Sequence, residues 1–155
     1  MQFFKTICLF GFLGFVVPLH AVECYVTFVK GQCWKDYQVH LKLIDMRTHQ
    51  NQLEIDLPAG DMWVREKFEC QPGQIFNKTV SFSPAIWEGD DKKDFSSLAK
   101  ISLPSSPPQE GAIWSIDVCI PGDFAKVPSP PGDVTNCGCD KSNIPDIKNS
   151  IRESK

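Results

Sequence analysis

Six cysteines spread from Cys24 to Cys139, behind an apolar leader, constrain this fold more than any other feature. In the leader, Lys5 precedes an apolar run from Ile7 to Val17, followed by Pro18 and Leu19-His20-Ala21. That is the order of an n-region, an h-region and a small-residue cleavage site, so residues 1–21 read as a signal peptide cut after Ala21. The run is shorter than the about 20 residues that span a bilayer, and no later run approaches that length, so no membrane insertion of the mature chain is expected. Cys8 leaves with the leader. The even set that remains, Cys24, Cys33, Cys70, Cys119, Cys137 and Cys139, reads as a disulfide framework of an exported protein, in a bacterial periplasm or outside the cell.

The framework is sparse compared with the roughly 8–10% cysteine of scaffolds held by bridges alone. It should therefore reinforce a hydrophobic core, each bridge contributing about 2–4 kcal/mol. Connectivity is open, with Cys70 and Cys119 the favoured inter-sheet pair because each belongs to a strongly apolar run.

Between residues 24 and 135 helical periodicity is almost absent. Tyr37, Val39, Leu41 and Leu43 alternate with polar residues, as do Leu53, Ile55 and Leu57. The polar segment from Arg47 to Asn51 makes these two runs a hairpin. Met62, Val64, Phe68 and Cys70 share one parity in a third run. Further strands are expected at 25–30, 74–82, 98–103 and 112–120, separated by Pro and Gly. Seven short runs of this kind predict an all-β fold, an antiparallel sandwich reinforced by disulfides and Ig-like in general architecture. The Cys…Trp…Cys spacing and tyrosine corner of immunoglobulin domains are not convincingly present. Residues 22–139 form the domain. Residues 140–155 form a polar tail, which reads as a frayed end or, from Ile144, Ile147 and Ile151, a short helix.

Charge and motifs exclude more than they assign. The sequence carries 16 basic and 19 acidic residues, and loss of Lys5 takes the mature chain to net −4. No stretch interleaves cations with aromatics, which argues against nucleic acid as a partner. His40, on the polar parity of a strand, and His49, in a loop, belong to no metal signature, and no nucleophile elbow or phosphate loop is present. Glu88, Asp90, Asp91 and Asp94 could offer oxygens to calcium, but Lys92 and Lys93 oppose a cation there and the spacing misses the EF-hand pattern. No cofactor or metal is expected. Asn77-Lys78-Thr79 fits a glycosylation sequon, relevant only in a eukaryotic source. Cys137-Gly138-Cys139 could form a redox pair or a soft-metal site, but four other cysteines offer each thiol a structural partner.

Trp63 and Trp114 lie in strands and are expected in the core. Trp87, with Ile86 and Glu88 in a long polar loop, reads equally as a contact surface for a protein partner, since an exposed Trp on a rigid scaffold is a frequent interface anchor, and as a ring folded back over the sandwich as a lid. The leading expectation is a non-enzymatic binding or adaptor module. Alternatives are a structural accessory subunit of an envelope or extracellular assembly, and a thiol or metal protein using Cys137 and Cys139.

Overall fold

The computed structural model describes residues 21–89, 93–124, 126–130, 137–148 and 150–152. Residues 1–20 lie outside these residues, as do Asp90, Asp91 and Lys92 of the acidic loop. Two sheets face each other across one core. The first contains β1 (Val22–Lys30), β4 (Trp63–Cys70), β8 (Ile113–Ile120) and β9 (Ser150–Arg152) in the order β4-β1-β8-β9. The second runs β3 (Asn51–Leu57), β2 (Gln38–Asp45), β5 (Ile75–Ser83), β6 (Phe95–Ser96), with β7 (Ile101–Ser102) also on β5. The sheets do not close into a barrel.

The expected hairpin forms with Leu41 opposite Ile55 and Leu43 opposite Leu53. Alternation explains it: Val39, Leu41, Leu43, Ile55 and Leu57 are buried, while His40, Lys42, Glu54 and Asp56 face outward. In the first sheet Cys24, Val26 and Phe28 of β1 meet Phe68 and Cys70 of β4 and Trp114, Ile116, Val118 and Ile120 of β8 on the inner face. Two pairings there are parallel, β1 with β8 and β8 with β9. The β1–β8 pair needs no crossover helix, because the strands β2 to β7 provide the connection between them, and the tail from residue 121 connects β8 to β9.

Two cations are drawn into the interior. Lys30 is fully buried, and its Nζ donates to the carbonyls of Pro58 at 2.7 Å and Tyr37 at 2.8 Å. It thereby ties the turn after β3 to the segment before β2, and burial lowers its pKa. Lys78 takes a core-facing position on β5 and lies 3.8 Å from Asp123, whose other carboxylate oxygen accepts the Cys119 N–H at 2.6 Å.

The bridges differ from the expected one. Cys24 pairs with Cys70, Cys33 with Cys137 and Cys119 with Cys139. A Cys70–Cys119 bond is impossible for two reasons. β4 and β8 lie on opposite sides of β1 in one sheet, about 10 Å apart at a strand spacing of about 4.8 Å, beyond the about 7 Å that a disulfide spans. Cys119 also has the parity opposite to the buried Trp114, Ile116 and Val118, so it faces outward.

That outward position lets Cys119 hold the tail. Cys137 and Cys139 clamp the segment across the ends of β1 and β8, where Gly31 donates to the Ile120 carbonyl at 2.7 Å. A Cβ on Gly31 would stand 1.9 Å from the Cys137 carbonyl oxygen, so only glycine lets the two backbones cross. Beyond the clamp the tail crosses the outer face of the first sheet and then pairs with β8, Ile151 opposite Trp114. It is neither the frayed end nor the helix expected. No helical segment occurs among its described residues, and Ile144 and Ile147 are half-buried.

Candidate functional site

The loop after β5 packs on an aromatic layer at one end of the sandwich. Trp34 enters from a 3₁₀ turn (Gln32–Trp34), Tyr37 from the approach to β2, Phe82 from the end of β5 and Phe95 from β6. Trp34 stacks on Phe82 with ring centroids 4.7 Å apart. Trp87 lies edge-on to three of these rings, at 6.2 Å from Trp34, 5.5 Å from Phe82 and 5.7 Å from Phe95. Its indole is half-buried, as is Ile86, while Glu88 is exposed. Lys93 places its ammonium 4.8 Å from the Phe95 centroid, which gives the layer a charged rim. Trp34 is completely buried and its Nε1 has no hydrogen-bond partner among the described residues.

The other tryptophans divide. Trp114 is buried as expected, but Trp63 is 36% exposed. Its parity is that of Arg65, Lys67 and Glu69, so it stands on the outer face of β4, with the Arg65 guanidinium 5.7 Å from its ring centroid. The core expectation for Trp63 overlooked this alternation.

On the outside of the second sheet, pairing places Asp56, His40 and Ser81 in one row across β3, β2 and β5. His40 Nδ1 lies 2.8 Å from Asp56 Oδ1, and its Nε2 faces Glu54 at 3.5 Å. Both ring nitrogens therefore address carboxylates. No hydrogen bond joins His40 to Ser81 among the described residues. Sequence spacing gave no sign of the row, because only strand register brings the three together.

Asn77 is half-buried in the middle of β5, opposite Ile44, and the sequon's Thr79 is buried with its Oγ1 unpartnered. Cys137 and Cys139 are bonded to other cysteines and not to each other. Asp94 pairs with Lys42 at 3.3 Å instead of gathering with Glu88. Among the described residues, no three His, Cys, Asp or Glu side chains come together as a metal cluster.

Sequence motifs also gave no sign of a cavity of about 310 Å³ at the opposite turns, lined by Asp45, Met46, Arg47 and the segment Gln71–Ile75. Asp45, almost fully buried, accepts from the Gln74 amide and from the backbone N–H groups of Arg47 and Thr48. The Gln74 bond is the largest cause of a lowered Asp45 pKa, followed among the favourable contacts by the two N–H groups. With each Asp45 oxygen already engaged, the group serves as a brace between the β2–β3 and β4–β5 turns.

The aromatic layer can offer a partner a broad apolar contact flanked by charge. The three disulfides suggest an oxidising, exported environment, and no helix among the described residues is long and apolar enough to cross a membrane. Comparison with family models, curated proteins and solved structures gives no match.

Proposed function

We propose that the chain is an exported, non-enzymatic binding module that engages a protein partner through Ile86, Trp87 and Glu88, in a periplasm or outside the cell. One observation supports this reading above the others: Trp87 is half-exposed on an aromatic layer that is already packed. A ring held in this way offers contact area with little further loss of side-chain freedom on binding. Glu88 beside it adds a charge that can set the orientation of a partner.

The test is site-specific photo-crosslinking in the native compartment. A crosslinker at Glu88 should capture one discrete partner, whereas the same group at Glu54, on the outside of the second sheet, should capture none. Trp87→Phe should keep the fold and weaken capture, because it retains a ring on the layer but removes the exposed indole edge. Equal capture from positions 88 and 54, or unchanged capture by Trp87→Phe, would sink the proposal.

A further inference from the structure

Two of the three disulfides hold a segment that adds little to the core, since Lys141, Ser142 and Asp146 are exposed. What the clamp does hold is a cleft of about 260 Å³ between the tail and the outer face of the first sheet. Thr27, Arg65, Asp117, Lys141, Ser142 and Asp146 supply its polar groups.

The floor of the cleft is a cross-strand row. Thr27 of β1 stands opposite Arg65 of β4 on one side and Asp117 of β8 on the other. A cation and an anion are therefore held one strand apart, on backbones about 10 Å from each other at the usual strand spacing. Arg65 does not use its charge on Asp117. Its Nε donates to the Thr27 hydroxyl at 3.0 Å and its guanidinium sits near the Trp63 ring. No carboxylate forms an ion pair with it among the described residues. Asp117 instead receives Lys141 from the roof, at 3.0 Å. A hydrogen bond from the Ser142 N–H to Asp140, 2.9 Å long, fixes the turn of that roof.

We propose that this cleft binds a small zwitterion, a molecule with a carboxylate and an ammonium a few ångströms apart, as in a free amino acid or dipeptide. The carboxylate takes the two terminal nitrogens of Arg65, which Thr27 leaves unused, in the planar two-point geometry that guanidinium favours. The ammonium takes Asp117 beside Lys141. The cleft holds Arg65 and Lys141 together with Asp117 and Asp146, so a ligand carrying both charges suits it better than a simple anion or a simple cation. The volume of about 260 Å³, just below the roughly 300–1,000 Å³ of drug-sized sites, suits a ligand of amino-acid or dipeptide size. The site is independent of the Trp87 loop.

Isothermal titration of the oxidised full-length mature protein tests this, with Trp63 fluorescence as a local reporter. Glycine and glycylglycine separate the two sources. N-acetylglycine lacks the ammonium and glycinamide lacks the carboxylate. Saturable binding of glycine or glycylglycine is expected, weakened about tenfold or more by blocking either end, the loss of one charge-assisted contact. Asp117→Asn and Arg65→Gln should each cause a similar loss with the thermal midpoint nearly unchanged. If Arg65→Gln lowers the midpoint, Arg65→Lys keeps the charge and should recover part of the binding. Absence of saturable binding by every probe up to about 10 mM, a limit far weaker than specific recognition, overturns the proposal. Equal binding of N-acetylglycine and glycylglycine overturns it too, by revealing a simple anion site.

Discussion

On the outside of the second sheet, His40 stands between Glu54 and Asp56, and Lys42 reaches Asp94, all in contact with solvent. On the outside of the first sheet, the equivalent parity puts Thr27, Val29 and Ser115 almost or entirely out of solvent. Both sheets pack the same kind of apolar inner face, so the difference arises on their other sides. The clamped tail covers part of one sheet, whereas on the other only Thr79 is buried among the described outward-facing strand residues. An outer face is therefore a matter of what the rest of the chain does, and strand alternation alone does not determine it.

The largest expected effect comes from placing a charge at an outward position in each sheet. Val29→Asp should cost about 3–5 kcal/mol or prevent folding, because it leaves an unpaired buried charge. Gln38→Asp, on the second sheet, should stay within about 0.5 kcal/mol. Urea denaturation of both variants checks this, and similar losses would break the distinction between the faces. Next in size is removal of the Cys119–Cys139 bridge by double alanine substitution. The closed segment is short, so the loss should be about 3 kcal/mol. Hydrogen exchange should rise in β8 and β1 but not in the β2–β3 hairpin. Uniform loosening would mean that the tail supports both sheets.

Asp45 sharpens the comparison by marking the end of the second sheet where a carboxylate is buried at the turns. Asp45→Asn should cost about 1–2 kcal/mol at neutral pH. The folded pKa is lowered, so the carboxylate's contribution is complete above the unfolded value of about 4. It is lost as pH falls through the folded value. Urea midpoints of wild type and variant should therefore converge in strong acid, and a gap independent of pH would show that charge is not what braces the turns. Smallest is His40→Ala on the open face, expected to cost no more than about 1 kcal/mol, since exposed ion pairs contribute little. A larger loss in thermal denaturation would mean that this face is more than a solvated surface.

Where alternation was unbroken, the sequence was readable. Val39, Leu41 and Leu43 against Ile55 and Leu57 specified the hairpin because each side chain met its natural medium. β1 carried a weaker signal, since Thr27, Val29 and Lys30 are buried along with Cys24, Val26 and Phe28. Trp63 and Cys119 share the outward parity of Arg65, Lys67 and Asp117, but their bulk and apolarity point to the core when position along the strand is left out. β6, β7 and β9 have only two or three residues each and too little pattern to reveal their bounds. The cleft at Arg65 and Asp117 was beyond reading, because it depends on register across three strands and on the path of the tail.

The parallel contact between β1 and β8 also sets an order in time. Cys24 meets Trp114 and Val29 meets Cys119, so the central seam of the first sheet joins segments made early and late. A chain emerging N-terminus first can form the β2–β3 hairpin and add β5 while β1 still waits for β8. Such distant pairing costs closure entropy before any contact repays it, and it slows folding. Until β8 arrives, β1 is an apolar strand with an unsatisfied edge, the point at which a nascent chain most needs protection from association.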